Sequence, residues 1–274
     1  MERLKQLIQA ERSGKARTTD VHLLNLVREY LQVLVLKIMF QHKAGAALSF
    51  MGGTCLRICY DFKRYSEDLD FSLDAPQRPY DFARLMQQVQ TTLEHRGFTV
   101  DLTHHDEKIV QKAFFRFQEF QQMLHLRQFR TEQKLHIKIE VDVQPPPVDE
   151  DDRESFFVTR FQEIFPILKH TLSTLFAGKL LAIFDRPYAR GRDYYDLMWY
   201  LSQKTPINLP YLNRAVKRQP FVSETDVFAA LTEKIRAVNP ALILKDIDRF
   251  LEDPSEVTWI RHYEQLFSQL VAGR

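Results

Sequence analysis

Across residues 21–40 apolar side chains recur every three or four positions: Val21, Leu24, Val27, Leu31, Leu34, Val35 and Ile38. This spacing predicts a long amphipathic helix, with Asp20 placed to cap its N-terminus. A short strand is expected over 47–51, ending in the pair Gly52-Gly53, and Thr54 then sits where a helix begins, as N-cap or as a hydroxyl for phosphate. Helical spacing returns over 79–95 in Phe82, Leu85, Met86, Val89 and Leu93, closed by Gly97. Residues 98–102 and 112–117 read as strands. Strict alternation marks 136–143: Ile137, Ile139, Val141 and Val143 form a core face, and His136, Lys138, Glu140 and Asp142 form the other. Three prolines at 145–147 end that strand, and 149–152 is an acidic loop.

Beyond residue 170 the period is helical throughout, over 171–184 and then over 209–218, 224–238, 240–251 and 256–271. Residues 1–17 predict a short polar helix. The chain therefore reads as α+β: a mixed sheet flanked by helices over 1–170, then a mostly helical C-terminal lobe over 171–274.

The chemistry concentrates in GGTCLRICYDFKRYSEDLDFSLD, residues 52–74. Asp68 and Asp70 lie on a predicted strand with one residue between them, so both point to one face while Leu69, Phe71 and Leu73 point to the core. Two adjacent carboxylates repel unless a cation separates them, and hard oxygen donors suit Mg²⁺, with Mn²⁺ as its substitute. A glycine turn opening a helix presents backbone N–H groups to phosphate. The stretch thus predicts a metal-dependent phosphoryl-transfer site. A third carboxylate is expected from the alternating strand, Glu140 first and Asp142 second; a plain solvated sheet face is the competing reading. Lys63 and Arg64, in the loop before the acidic strand, are either solvated or face a phosphate chain.

In the lobe, Lys179 falls on the apolar stripe of Leu172, Leu175, Phe176, Leu180 and Ile183. An ammonium there has to snorkel to water or meet a partner, such as a triphosphate. Asp193 and Asp196 are three apart and share a helix face.

Composition narrows the classes. The chain has 274 residues, 45% of them apolar, enough for one large core or two modest ones. Lys and Arg number 38 against 36 acidic residues, which argues against a general nucleic-acid coat. Lys217, Arg218, Lys234 and Arg236 are candidates for a local basic cleft. The two cysteines, Cys55 and Cys59, lack partners at zinc spacing and read as small helix residues of a protein in a reducing cytoplasm. His104-His105 diverge on a strand and read as edge or loop residues. The charged N-terminus shows no secretory signal, and the apolar run from Tyr30 to Phe40, interrupted by Lys37, is too short to span a membrane and reads as a buried helix.

Three blocks resemble the AbiEii/AbiGii nucleotidyltransferase-like toxins of abortive-infection and type IV toxin–antitoxin systems. They are Gly52-Gly53-Thr54-Cys55-Leu56-Arg57, Arg64-Tyr65-Ser66-Glu67-Asp68-Leu69-Asp70-Phe71, and Lys179-Leu180-Leu181-Ala182 with Arg186 and Arg192-Asp193-Tyr194-Tyr195-Asp196-Leu197. The resemblance spans roughly residues 20–205. It implies a nucleotidyltransferase-like sheet, with Asp68 and Asp70 holding Mg²⁺ and Gly52, Gly53 and Thr54 touching the nucleotide. Lys179 would hold the triphosphate, joined by one arginine from Arg186, Arg190 or Arg192, and Asp193 would complete the catalytic set from the C-terminal lobe. It also implies an NTP substrate, a tRNA 3′ end as acceptor, a cognate antitoxin as partner and a place in phage defence. A DxD glycosyltransferase, a degenerate, non-enzymatic binding partner and a metal-dependent nuclease are the alternatives.

Overall fold

A computed structural model describes residues 1–14, 19–118, 135–216 and 219–274. It divides into two compact units: residues 1–145 with 155–169, and residues 146–154 with 170–274.

The first unit is built on a seven-stranded sheet in the order β3-β4-β5-β2-β1-β7-β6. Its strands are β1 (Leu48–Met51), β2 (Asp68–Leu73), β3 (Val100–His105), β4 (Val110–Phe117), β5 (Leu135–Asp142), β6 (Arg153–Arg160) and β7 (Glu163–His170). β1 runs antiparallel to β2, and β2 runs parallel to β5, so the sheet is mixed. His104 and His105 lie on β3 at the sheet's edge. The helices of this unit are α1 (Glu2–Gly14), α2 (Asp20–Gln41), α3 (Gly52–Tyr60) and α4 (Phe82–His95).

Alternation delivers the core as expected on β5, where Ile137, Ile139 and Val141 are fully buried; Val143 falls past the strand's end and is half-buried. On β2, Leu69 and Phe71 are fully buried, opposite the face carrying Asp68 and Asp70.

Over residues 30–40 helix α2 is the buried helix expected, and three of its polar residues, Asn25, Glu29 and Gln32, are buried as well. Glu29 accepts from Arg57 Nε at 2.8 Å, and the Gln32 amide donates to the carbonyls of Ser66 and Glu67 at 3.0 and 2.9 Å. Its N-cap is Thr19, whose side chain accepts from the His22 N–H, so Asp20 is the first helical residue and not the cap.

The β6–β7 hairpin is absent from the sequence expectations. Its turn residues Phe161 and Gln162 both have positive φ, +52° and +59°. Such turns normally advertise themselves as Asn-Gly or Asp-Gly. Here Phe161 is held by an edge-on contact with Tyr30, ring centroids 5.5 Å apart.

The second unit is helical: α5 (Leu172–Asp185), α6 (Gly191–Ser202), α7 (Leu209–Ala215), α8 (Glu224–Arg236), α9 (Pro240–Ile247), α10 (Val257–Ile260) and α11 (Tyr263–Ala272). The expected helices over 240–251 and 256–271 are each shorter or broken. α9 gives way to a 3-10 turn at Asp248–Phe250, and α10 and α11 are separate. Among the described residues no helix is long and apolar enough to cross a membrane.

Candidate active site

The acidic strand of the first unit is fixed from behind before any ligand is considered. Arg57 donates to the Phe62 carbonyl at 2.8 Å and stacks over the Tyr65 ring, 4.4 Å from its centroid. Arg64 is 2% exposed and donates to the Tyr65 carbonyl. Arg64 is therefore a buried brace and not a solvated or phosphate-facing loop residue; Lys63 is exposed. Together with the Gln32 amide, these bonds tie down the chain that leads into Asp68.

The glycine pair is dictated by what lies against it. Gly52 has φ +78°, and a Cβ there would lie 3.0 Å from both Cβ and Cγ of Asp70 and closer still to its Oδ2. A Cβ on Gly53 would lie 2.8 Å from Arg64 Nη2. The glycines thus make room for the Asp70 carboxylate and the Arg64 guanidinium, and Gly52 does so in a conformation that L side chains rarely adopt. Thr54 is neither the cap nor a free hydroxyl. The residue preceding α3 is Met51, and Thr54, fully buried, donates its hydroxyl to the Asp68 carbonyl.

Asp68 and Asp70 do share a face, and the parallel register sets Lys138 beside Asp68 and Glu140 beside Asp70. Lys138 Nζ lies 3.4 Å from Asp68 Oδ2 and 3.0 Å from Glu140 Oε1. Lys112, opposite Glu140 on β4, reaches the same Oε1 at 2.9 Å. Burial works to raise the Glu140 pKa, but the hydrogen bonds and charges of Lys112 and Lys138 outweigh it and hold the carboxyl below its ordinary value. Burial likewise opposes the Lys138 ammonium, yet Asp68 and Glu140 raise its pKa. Glu140 thus lies beside Asp70 on the face of the acidic pair and is ion-paired with Lys112 and Lys138. Asp142 falls opposite Ser72, a step beyond Asp70 along the face. Among the described residues no three His, Cys, Asp or Glu side chains converge as a metal cluster.

The second unit carries its own charged cluster. Lys179, on α5, lies 2.8 Å from Asp193 Oδ1 and 2.9 Å from Asp196 Oδ2 on α6, so the shared face of the two aspartates is real. Arg186, just past the end of α5, donates to the other oxygen of Asp193. Burial disfavours the Lys179 charge, but Asp193 and Asp196 more than compensate and raise its pKa. Burial pushes Asp193 up, and Lys179 and Arg186 pull it net below its ordinary value. Lys179 does not snorkel: its partners are built in.

Arg192 is elsewhere. Gly191 lets α6 approach α9 so closely that a Cβ would sit 2.7 Å from Ile243 Cα. Arg192 then donates its backbone N–H to Asp246 and lays its guanidinium over Phe250, 4.9 Å from the ring centroid. Adjacent helical residues are about 100° apart, so Arg192 cannot share the face of Asp193. Lys234 and Arg236 are also engaged, with the Phe184 carbonyl and Glu233, while Lys217 and Arg218 lie outside the described residues.

The family model for the nucleotidyl transferase AbiEii toxin, type IV TA system, matches residues 35–274. The chain belongs to this family. An AbiEii chain is a nucleotidyltransferase toxin, which decides between the nucleotidyltransferase and glycosyltransferase readings of the acidic strand. The match runs through the C-terminal helices, well past residue 205. Among solved structures, the AbiEii chain is similar to MenT4, the nucleotidyltransferase toxin Rv2826c of Mycobacterium tuberculosis H37Rv, with TM-score 0.54 and 19% identity over 97% of this chain and 89% of that one. It is also similar to JHP933 from Helicobacter pylori, with TM-score 0.53 and 16% identity over 91% and 92%. At these identities the likeness speaks for the fold. No curated protein matches significantly.

Proposed function

We propose that this AbiEii chain transfers a nucleoside monophosphate from an NTP to the 3′ end of a tRNA. In this reading it is the toxin of a phage-defence pair, restrained by a cognate antitoxin. The acceptor oxygen forms a bond to the α-phosphorus, the bond to the β-phosphate oxygen breaks, and pyrophosphate leaves as the hydroxyl proton is lost. The observation that carries the reading is the face of β2 shared by Asp68 and Asp70, with Gly52 packed against Asp70, in a chain of this family.

Asp68 and Asp70 fit a Mg²⁺ or Mn²⁺ ion. They are hard oxygen donors on one face, and Asp68 already accepts a cation, the Lys138 ammonium. Two carboxylates suffice because Mg²⁺ characteristically takes one or two from the protein and completes its shell with water and substrate phosphates. Such an ion would neutralise charge developing at the α-phosphate and orient the attack. Lys179 is assigned to the polyphosphate, with Asp193 and Asp196 holding its ammonium charged and oriented. Arg186 is assigned beside it, since it shares Asp193. Arg192 is assigned to helix packing. The antitoxin and the tRNA acceptor rest on the family.

The test is incubation with total tRNA, Mg²⁺ and each α-labelled NTP in turn, resolved on a denaturing gel. Label on tRNA that disappears with Asp68→Asn supports both reaction and acceptor. Absence of label with every NTP, despite Mg²⁺-dependent nucleotide binding, removes tRNA as the acceptor.

A further inference from the structure

The face that carries the acidic pair also carries two lysines with no place in the proposed chemistry. Three strands bring them together. The parallel β2–β5 register sets Lys138 against Asp68, and the antiparallel β4–β5 register sets Lys112 against Glu140. The result is a chain of ion pairs across the sheet: Lys112 to Glu140 at 2.9 Å, Glu140 to Lys138 at 3.0 Å, and Lys138 to Asp68 at 3.4 Å. The Lys138 side chain is 22% exposed and that of Asp68 28%, so the pair is partly sheltered from solvent screening.

We propose that Lys138 is a built-in counter-cation of the acidic strand: it occupies the metal-facing side of Asp68 and has to be displaced before a divalent ion uses that carboxylate. Glu140, where a third acidic ligand was expected, serves as the anchor that aims Lys138. The inference rests on the assignment of Asp68 and Asp70 as the metal-holding pair. Its consequence is order. With its ammonium seated between Asp68 and Glu140, Lys138 leaves the face only weakly attractive to a bare divalent ion, so the ion enters together with the phosphate oxygens of the nucleotide. The lysine also holds the two aspartates' mutual repulsion in check while the site is without substrate.

The test is Mn²⁺ binding to the full chain in the absence of nucleotide, read by the electron paramagnetic resonance signal of free Mn²⁺. Lys138→Met is expected to bind Mn²⁺ tighter than wild type, by up to roughly fivefold, the upper end for a partly exposed ion pair. Lys138→Gln, which keeps a donor for Glu140, guards against a folding defect and is expected to tighten binding likewise. Adding Asp68→Asn to Lys138→Met should abolish the gain. Lys112→Met removes the same charge without touching Asp68 and is the control, expected to leave affinity within twofold. Unchanged affinity in both Lys138 variants, or an equal gain in Lys112→Met, overturns the proposal and leaves the two-aspartate site standing. No Mn²⁺ binding by wild type or any lysine variant overturns the two-aspartate site along with it.

Discussion

Gly52 and Asp70 are in contact such that no side chain fits between them: a Cβ on Gly52 would stand 3.0 Å from Asp70 Cβ. The backbone there is also left-handed, at φ +78°. Gly52→Ala therefore acts twice, straining the turn and pushing on a proposed metal ligand. The strain alone is expected to cost about 1–3 kcal/mol. Nucleotidyl transfer should fall further than stability explains, by roughly a hundredfold, since a displacement of about 1 Å at a reacting centre has that effect. Thermal melts and initial rates on the same preparation check this; a variant that loses stability but keeps its rate would detach Asp70 from the chemistry.

Asp68→Asn separates chemistry from folding more cleanly. Asp68 is part-exposed, and Lys138 retains Glu140 at 3.0 Å when the Asp68 charge is gone. An ion pair of this exposure contributes about 0–1 kcal/mol, so the melting temperature should move by no more than about 2–4 °C. Transfer should drop by on the order of a thousandfold, because the variant loses a charged oxygen donor to the divalent ion. Residual transfer near the wild-type rate in a well-folded variant would move the site elsewhere.

The face shared by Asp68 and Asp70 and that shared by Asp193 and Asp196 were legible because both follow from local periodicity, two per strand and three to four per helix turn. What periodicity cannot carry is which strand lies beside which. β2 and β5 are some seventy residues apart, and only the strand registers reveal that Glu140 lies beside Asp70 and meets Lys138 and Lys112. The same holds for Arg64 and for Glu29 and Gln32 of α2. Each is a polar residue whose burial no local pattern announces, and each braces the loop ahead of Asp68. The β6–β7 turn was silent for a different reason: Phe161 and Gln162 adopt positive φ without the residue types that signal it.

Lys179 and Asp196 allow structure and catalysis to be told apart within one cluster. Asp196 has no exposed surface, and its carboxylate lies 2.9 Å from the ammonium. Lys179→Met leaves that buried charge without its ammonium and is expected to cost about 3–5 kcal/mol. Adding Asp196→Asn removes the stranded charge and should restore much of the lost stability, a coupling visible in a double-mutant cycle of denaturant melts. Transfer should stay low in the double variant, since the ammonium assigned to the polyphosphate is still missing. Activity returning along with stability would reduce Lys179 to a structural role.

The same cluster contributes to the pH dependence of the C-terminal unit. Asp193 has a folded pKa below its ordinary value, net of a burial penalty that Lys179 and Arg186 overcome. A carboxyl so depressed stabilises the fold above its unfolded pKa, near 4, and that contribution is lost as pH falls through the lower folded value. Lys179 is raised, so its contribution is complete below its unfolded pKa, near 10.4, and is lost as pH rises through the folded value. Between these limits the cluster's contribution should be flat. Stability measured by chemical denaturation should therefore decline below about pH 4 and above about pH 10. Asp193→Asn should be less stable at neutral pH and show a shallower acid limb, because the proton it would have taken up is no longer coupled to folding. An acid limb as steep in that variant as in wild type would place the titrating group outside this cluster.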